Sequence, residues 1–354
     1  EEIQMTIDKG LLSPPELLEA GFIDETLYPD EVEEIAGIDP FNGGESISLS
    51  RYAQDNGMGF GMGKKIAVIF AEGTITGGNS SHGPWGDQIG SETLREQFQE
   101  IRDNEKVRAV VLRVNSPGGS GFASDLIWRE VELTKKSGRP VVVSMSGMAA
   151  SGGYYISMGA DYIFAQPATL TGSIGVIAGK FVLKDLYEWA GMTVEQIQRG
   201  ENSGIFSASS QFTESQRQRL QENLQEFYHT FVMKAAQGRG MTYSEVDRVA
   251  RGRVWTGELA LECGLVDELG GLEEAISKAI DLAPDLSEAE DYPLVIYPRE
   301  KGFFERLSSM GEVRMASSKK MPEPVQDWLK AVSEAEAFKN EPFLLLMPYR
   351  LEIR

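Results

Sequence analysis

Three glycine-rich segments contain the residues with which this chain could do chemistry. They read NSPGGS (115–120), MAASGGY (148–154) and TGSIG (171–175), and each follows a predicted strand. In open α/β sheets, functional groups gather where strands end and loops begin. We therefore expect the three segments to meet at one edge of a sheet and to form a single site.

The residue types in these segments suit acyl transfer. Ser151 is the candidate nucleophile, because it lies between small residues just before a predicted helix, whose N-terminus is electropositive. The N–H of Gly152 could act as an oxyanion donor beside it. Gly118 and Gly119 lack a Cβ, so their N–H groups could also approach a reacting carbonyl closely. A serine beside such donors is the arrangement of a nucleophilic hydrolase, and Ser173 could orient its base by a hydrogen bond.

These segments also allow other interpretations. A single Gly-Gly pair is most often a tight turn. The tripeptide GK[ST] of a phosphate-binding loop is absent, and Ser151 stands in AASGG rather than in a G-x-S-x-G elbow. The chain has two histidines and one cysteine, so we expect no zinc-type cluster, no disulfide and no cofactor. His82 in a glycine-rich loop and His229 on a long helix make a Ser-His-Asp triad improbable.

Hydrophobic patterns predict the elements that position these segments. Apolar runs bounded by glycine or proline predict buried strands, and apolar residues at i, i+3, i+4 spacing predict helices between them. This alternation predicts an α/β fold with a mainly parallel sheet and flanking helices. The predicted strands cover 65–73, 107–114, 140–145, 161–165, 193–197 and 293–297, and the predicted helices cover 91–104, a segment around 123–131, 180–190, 213–236 and 323–339.

The three motifs, in this order and spacing, resemble the signal peptide peptidases of the SppA type. The matching segments are VLRVNSPGGS (111–120), MAASGGYYIS (148–157), LTGSIGV (170–176), GRGMT (238–242), GRVWTG (252–257) and GLVDELGG (264–271). The resemblance covers about residues 64–281. It implies a ClpP/crotonase-like fold of repeated β-β-α units and a serine peptidase with a lysine base. It assigns Ser151 as nucleophile, Gly118 and Gly152 as oxyanion donors, and Ser173 as the partner of the lysine.

This sequence departs from the family pattern at the base. In single-copy members the lysine follows the serine by about fifty residues, but the corresponding segment here, QRGENSGIF (198–206), has no lysine. Arg199 cannot replace it, because a guanidinium stays protonated. Lys180 and Lys184 fall on a predicted helix and are expected to be solvated surface charges. In double-length members of the family the lysine comes from the first copy and the serine from the second.

A faint internal repeat agrees with a double-length origin. Residues 13–25 (SPPELLEAGFIDE) match residues 256–268 (TGELALECGLVDE), and five positions are identical. Both copies predict a capped short helix ended by glycine, a pattern that also recurs by chance. We therefore predict four segments along the chain, and we call this the domain hypothesis. Residues 1–36 are the tail of a preceding copy, residues 37–63 are a linker, residues 64–281 are the catalytic serine domain, and residues 282–354 are a C-terminal extension. The alternative is an inactive family member.

Charge and composition limit the partners. With 54 acidic and 34 basic residues the net charge is −20, so nucleic acid is not an expected partner. No apolar run approaches the ~20 residues of a membrane span. The resemblance implies apolar peptide substrates such as signal peptide remnants, a homo-oligomer, and a location at a membrane, either the outer face of the cytoplasmic membrane or a plastid or thylakoid membrane. The apolar run FLLLM (343–347) would pack on the domain, on another subunit or on a membrane surface.

Two hypotheses from other classes remain open at this point. The chain could be a non-catalytic assembly module that uses the same fold, or, less favoured, a crotonase-like acyl-CoA enzyme. The acyl-CoA enzyme would leave the serine in AASGGYY without a purpose.

Overall fold

The computed structural model describes residues 18–19, 21, 23–25, 63–83, 86–197, 204–287, 292–298 and 343–346. The chain divides into two units, residues 1–56 and 57–354. The elements described below belong to the second unit. The linker predicted at 37–63, apart from residue 63, and the helix predicted at 323–339 lie outside the described residues.

Fourteen strands and eight helices occur in the described part of this unit. The strands are β1 Lys65–Glu72, β2 Thr74–Thr76, β3 Ser81–Gly83, β4 Gly86–Gly90, β5 Val107–Ser116, β6 Gly118–Ser120, β7 Val141–Ala150, β8 Tyr162–Ala165, β9 Leu170–Gly172, β10 Ile177–Ala178, β11 Val254–Thr256, β12 Glu268–Leu269, β13 Leu294–Tyr297 and β14 Phe343–Leu346. The helices are α1 Ser91–Asp103, α2 Gly121–Lys136, α3 Gly152–Tyr155, α4 Lys184–Trp189, α5 Glu214–Arg239, α6 Tyr243–Val249, α7 Gly257–Glu262 and α8 Leu272–Leu282.

The strands form two sheets. The larger sheet has the order β11-β9-β7-β5-β1-β13, with β8 pairing to β7 and β12. Its pairs are parallel except for β11 with β9. The smaller sheet has the order β10-β14-β6-β2-β4-β3. This mixed α/β architecture, mostly parallel with flanking helices, confirms the fold class predicted from the sequence.

The helices cover both faces of the larger sheet. On one face Val110, Leu112 and Val143 pack with the apolar residues of α1, α2 and α5, and all of these side chains are buried. On the other face Val111 and Val142 pack against α8. Strands buried on both faces need continuous apolar sequences, which is why the central strands have no polar alternation.

Local hydrogen bonds set the helix ends. The Ser120 side chain accepts from the N–H of Ala123 at 3.1 Å and begins α2. Thr213 and Gln216 form a capping box at the start of α5, and Gly240 ends that helix at φ 62°. Capping hydroxyls and left-handed glycines satisfy the unpaired backbone groups at helix termini. The helix Glu214–Arg239, capped by Thr213, confirms the long helix predicted from residue 213.

Three predicted elements differ from the structure. The segment 193–197, whose apolar residues are Val194 and Ile197, is not a strand, because no strand in the described part of the chain pairs with it. The helix predicted at 180–190 is shorter and begins only at Lys184. The strand predicted at 140–145 continues to Ala150, since Met148–Ala150 pair with Leu170–Gly172 after a register shift.

The described positions of the repeat have the same local geometry in both copies. Gly21 has φ 70° and Gly264 has φ 75°. The N–H of Gly21 donates to the carbonyl of Leu18 at 3.0 Å, and that of Gly264 donates to Leu261 at 3.1 Å. Both glycines therefore end a short helix by the same left-handed turn. The remaining positions of the first copy lie outside the described residues, and the domain hypothesis stays a prediction.

Candidate active site

Ser151 lies at the junction between the end of β7 and the start of α3, with a backbone conformation that is rare for a non-glycine residue. Its φ is 53° and its ψ is −112°. The N–H of Ser151 donates to the carbonyl of Gly172 at 2.8 Å, and its carbonyl accepts from the N–H of Tyr155 at 2.8 Å. Such strained conformations persist only where surrounding bonds impose them, and they concentrate at functional sites.

The hydroxyl of Ser151 is buried and has no hydrogen-bond partner among the residues that the structure describes. The residue has no exposed surface, and no described donor or acceptor lies within hydrogen-bond distance of its Oγ. A buried polar group without a partner costs about 1–3 kcal/mol. Strain and an unpaired hydroxyl at the same residue are both unfavourable for folding, and such features concentrate at functional sites.

The glycine-rich segments converge on this serine, as predicted. A Cβ on Gly152 would lie 3.1 Å from both the Cα of Gly118 and the N of Gly119, so these backbones touch. Gly118 and Gly119 have φ of 108° and 156°, which favours glycine. The N–H of Gly118 donates to the hydroxyl of Ser116 at 3.1 Å. Its predicted role as an oxyanion donor, which would require it to leave that hydroxyl, stays a prediction, as does that of Gly152.

Ser173 is the second serine of the site with a positive φ. Its φ is 50°, it is buried, and its N–H donates to the carbonyl of Arg253 at 2.7 Å. Ser173 directly follows Gly172, whose carbonyl accepts a hydrogen bond from the N–H of Ser151. The backbones of the two serines are therefore linked through Gly172. Ser173 also borders an open cavity of about 470 Å³, whose other walls are Gly175–Ile177, the α5 residues Gln221, Leu224, Gln225 and Tyr228, and Arg251 and Gly252.

Two tyrosines anchor α3, and with it Ser151, the residue directly before the helix. The hydroxyl of Tyr154 donates to the carbonyl of Leu265 at 3.0 Å. The hydroxyl of Tyr155 donates to Asp125 at 2.6 Å, and Asp125 forms an ion pair with Lys234 on α5. Burial is the main cause that raises the pKa of both tyrosines, so both remain neutral donors. The short helix is thereby held on two sides, although it has only four residues.

The structure overturns the expectation that Lys180 is a solvated surface charge. Its Nζ is buried without a hydrogen-bond partner and lies 4.4 Å from the centroid of the Phe212 ring. Desolvation lowers the pKa of this amine. Lys184, in contrast, is an exposed residue of α4 that pairs with Glu188 at 3.8 Å, as predicted. Periodicity could not separate the two, because the environment of Lys180 is created by a segment thirty residues further along the chain.

We predict that Lys180→Met raises the free energy of unfolding at pH 7 by on the order of 1 kcal/mol, because it removes a buried ammonium that has no hydrogen-bond partner among the described residues, and a methionine side chain can also pack on the Phe212 ring. A lowered pKa in the folded state means that the unfolded state binds more protons, so the stability of the parent chain rises with pH as Lys180 deprotonates. The gain in the free energy of unfolding from Lys180→Met should therefore be smaller near pH 10 than at pH 7. Urea unfolding at the two pH values measures this gain. Lys184→Met is the matched control, and we expect it to give no gain.

The remaining candidate bases are not at Ser151. His229 lies on α5 and its ring is 5.0 Å from that of Tyr243, while His82 lies in β3. Residues 198–203 of the segment where the family lysine is expected lie outside the described residues. Among the residues that the structure does describe, no three His, Cys, Asp or Glu side chains form a group able to hold a metal ion.

Comparison with known proteins identifies the family. The family model described as peptidase family S49 matches residues 133–284, which include Ser151, Gly152 and Ser173. The slr0021 protein of Synechocystis sp., a candidate protease, is 34% identical over 257 residues, which cover 70% of this chain and 87% of that protein. The chain belongs to peptidase family S49.

Other S49 relatives are much longer than this chain. The chloroplastic serine protease SPPA of Arabidopsis thaliana is 37% identical over 79% of this chain, and Protease 4 of Salmonella typhi is 38% identical over 79%. These matches cover 42% and 44% of the two relatives, so the S49 chain spans less than half of their length. The predicted resemblance to the SppA type is confirmed.

Two solved structures are similar to parts of this chain. The 1510-N membrane-bound stomatin-specific protease matches with a TM-score of 0.44 at 15% identity, over 67% of this S49 chain and 99% of that chain. ClpP1 from Listeria monocytogenes matches with a TM-score of 0.38 at 16% identity, over 59% of this chain and 94% of that one.

Proposed function

We propose that this S49 chain is the serine-bearing part of an endopeptidase of the Ser/Lys type, with Ser151 as the nucleophile. The observation that carries the proposal is the strained, buried and unpaired hydroxyl of Ser151. Its support is the convergence of Gly118, Gly119 and Gly152 on that residue. Membership of a peptidase family agrees with both.

The proposed reaction begins when a neutral lysine amine takes the proton of the Ser151 hydroxyl. The oxygen then attacks a peptide carbonyl, and negative charge develops on the carbonyl oxygen. The N–H groups of Gly152 and Gly118 would donate hydrogen bonds to this oxygen, each stabilising the transition state by about 3–4 kcal/mol. The amine of the second peptide half leaves with the lysine proton, and water hydrolyses the resulting ester.

The lysine base is proposed to come from outside residues 1–354, from an upstream half or another subunit. The segment 198–206 has no lysine, and the matching turns at Gly21 and Gly264 agree with a duplicated chain. Lys180 is a buried amine within the chain, but its Nζ has no hydrogen bond to either serine of the site. Ser173 is then the residue proposed to receive and orient the incoming lysine.

The proposed substrates are apolar peptides, such as remnant signal peptides, cleaved at a membrane surface. Signal peptides carry a central run of 7–15 apolar residues. No helix in the described part of the chain is long and apolar enough to cross a bilayer. Membrane association is therefore proposed from the family alone, and the same holds for the compartment.

Labelling and turnover test this proposal separately. A fluorophosphonate probe should label Ser151 in the assembled enzyme that contains both the serine and the lysine. Residues 1–354 alone should hydrolyse an apolar reporter peptide at least 100-fold more slowly than that assembly, because an unassisted serine hydroxyl is a weak nucleophile. Full turnover by residues 1–354 alone would refute the externally supplied base.

The second candidate function is a non-catalytic assembly module. The observation that favours it is the exposed apolar surface around α4, where Trp189 is 84% exposed and Ile197 is 95% exposed. Exposed apolar surfaces of this kind mark interaction sites. They also agree with the proposed homo-oligomer. Absence of fluorophosphonate labelling, with an intact oligomer, would favour this candidate.

A further inference from the structure

The position of Tyr155 sets the direction of the Gly152 N–H. The carbonyl of Ser151 and the N–H of Gly152 belong to one planar trans peptide unit, so the two groups point in opposite directions. That carbonyl accepts from the N–H of Tyr155 at 2.8 Å, across the single turn of α3. A movement of Tyr155 therefore turns the peptide unit and redirects the N–H that is proposed as an oxyanion donor.

Helix α3 cannot hold Tyr155 in place by itself. The helix has four residues, Gly152–Tyr155, and the first two are glycines. A helix of one turn is unstable without tertiary contacts, and glycine adds backbone freedom. The position of the helix must therefore come from the partners of its two tyrosine side chains.

The side chain of Tyr155 ends at a charged group that joins two other helices. Its hydroxyl donates to Oδ1 of Asp125 on α2 at 2.6 Å, and the same oxygen pairs with Nζ of Lys234 on α5. The Nζ of Lys234 also lies 3.7 Å from the centroid of the Trp128 ring and 5.6 Å from that of the Tyr155 ring. Aromatic faces attract a cation at such distances. We call these four side chains, which link α2, α3 and α5, the Tyr155 clamp.

The charged oxygen adds a direction that the apolar contacts of Tyr155 lack. Its ring packs on the rings of Phe231 and Phe227, at centroid distances of 4.6 and 6.3 Å. Such apolar packing holds the ring in the core but is not directional. A hydrogen bond to a charged acceptor is short and directional, so Asp125 fixes how far the tyrosine reaches between α2 and α5.

The ion pair of the clamp contributes more to geometry than to stability. The side chains of Asp125 and Lys234 are 39% and 20% exposed, so both are partly desolvated. The loss of hydration offsets much of the Coulomb attraction in such a pair, and packed apolar side chains could stabilise the fold equally well. The pair differs from apolar side chains in providing a fixed acceptor for the Tyr155 hydroxyl.

We propose that Asp125 and Lys234 are positioning residues of the reaction, which act through Tyr155 to direct the Gly152 N–H at the carbonyl oxygen of the scissile peptide. The proposal gives neither residue a contact with substrate. It rests on the proposed function, because the direction of this N–H has a consequence only for a reaction at Ser151. A misdirected oxyanion donor weakens the transition state more than the bound substrate, so the effect should fall on kcat and not on KM.

The first test removes the hydrogen bond of the clamp in the assembled enzyme. Tyr155→Phe and Asp125→Ala should each lower kcat for an apolar reporter peptide by about 10- to 100-fold and leave KM within about twofold of the parent. Because the two residues form one hydrogen bond, the double variant should lose no more than the single variants. Losses that multiply in the double variant would show two independent effects and contradict the clamp.

The second test separates charge from packing at Lys234. Lys234→Arg keeps a cation that can pair with a carboxylate and stack on an aromatic ring, so kcat should stay within about threefold of the parent. Lys234→Met keeps an unbranched chain beside Trp128 but removes the charge, and kcat should fall about tenfold. A side chain that only fills space would give the reverse order, with the methionine variant active and the arginine variant impaired.

Tyr162→Phe is the matched control. The hydroxyl of Tyr162 donates to Glu268 at 3.0 Å, and Nζ of Lys278 lies 4.3 Å from its ring centroid, so the same three group types meet there. Tyr162 packs with the apolar cluster of Val111 and Val142, on the opposite face of the larger sheet from Tyr155. We expect its kcat and KM to equal those of the parent.

Hydrogen exchange gives a measurement that does not depend on activity. The amides of residues 155–158 donate to carbonyls of residues 151–154. They should exchange about tenfold faster in Tyr155→Phe and Asp125→Ala than in the parent and in Tyr162→Phe, because the clamp no longer holds α3. The amides of residues 110–114 in β5 should stay slow in every variant, which shows that the domain remains folded.

The results distinguish failure of the clamp from failure of the peptidase proposal. If a fluorophosphonate labels Ser151 in the parent, and Tyr155→Phe keeps parental kcat or loses activity through KM alone, the nucleophile stands and the clamp is refuted. If the parent assembly is neither labelled nor active while exchange in α3 responds as expected, the clamp holds α3 but the peptidase assignment fails, and with it the positioning role.

Discussion

Replacing Ser151 with alanine in the assembled enzyme is expected to reduce cleavage of an apolar reporter peptide by about 10⁴-fold or more. Loss of a catalytic serine removes the covalent step and leaves only the contribution of the oxyanion donors and of binding. The measurement is kcat/KM with the reporter peptide. Because the parent hydroxyl is buried without a partner, the same substitution should not lower the free energy of unfolding.

The matched control is Ser157→Ala. Ser157 is equally buried and lies six residues after the nucleophile, but its hydroxyl donates to the carbonyl of Gly153 at 2.7 Å. Its loss should cost about 1 kcal/mol of stability and leave kcat/KM within a few-fold of the parent. Activity retained by Ser151→Ala, or lost equally in both variants, would contradict the assignment of Ser151.

Gly119→Ala is expected to lower the free energy of unfolding by about 3 kcal/mol and kcat/KM by at least 100-fold. A Cβ at this position would lie 2.6 Å from the backbone N of Ile75 and closer still to its carbonyl oxygen. The φ of 156° adds strain for any other residue. Strand β6 would therefore have to move away from β2, and the backbone of Gly118 would move with it. Urea unfolding and peptide kinetics measure the two effects.

Gly179→Ala is the control for this prediction, because a Cβ there meets no atom within 4 Å and its backbone is not left-handed. We expect a change in stability within about 0.5 kcal/mol and unchanged kinetics. If Gly119→Ala folds and cleaves like the parent, the close backbone approach of β6 to β2 is not required for the site.

The residues that meet at the candidate site could be predicted from the sequence because the prediction depends on residue types in local order. Small residues flank Ser151, Gly152 follows it, and Gly118 and Gly119 form a pair in another segment. Residues without a large side chain are needed where two backbones approach each other this closely. The apolar runs of β1, β5 and β7 are long enough to identify a sheet buried on both faces. The parallel order of those strands then brings the three glycine-rich segments to one edge.

Periodicity failed where the environment comes from distant residues. The sequence predicts a strand at 193–197 from two apolar residues, Val194 and Ile197, yet no strand among the described residues pairs with this segment. A strand exists only where its backbone groups are paired. Lys180 has the sequence context of a surface lysine, but its Nζ is buried and lies 4.4 Å from the centroid of the Phe212 ring, which comes from a distant part of the chain. Neither outcome is encoded in the few residues around these positions.

The sequence by itself determined the family and the α/β class, and it predicted Ser151 as the nucleophile with glycines around it, since these follow from local residue types and their order. Only the tertiary structure decided that Ser151 is strained and buried, that the Nζ of Lys180 is buried near the Phe212 ring, and that residues 343–346 lie between β6 and β10. The physical reason is that burial, desolvation and strand pairing are properties of segments that meet only after folding, and no local pattern records which segments will meet.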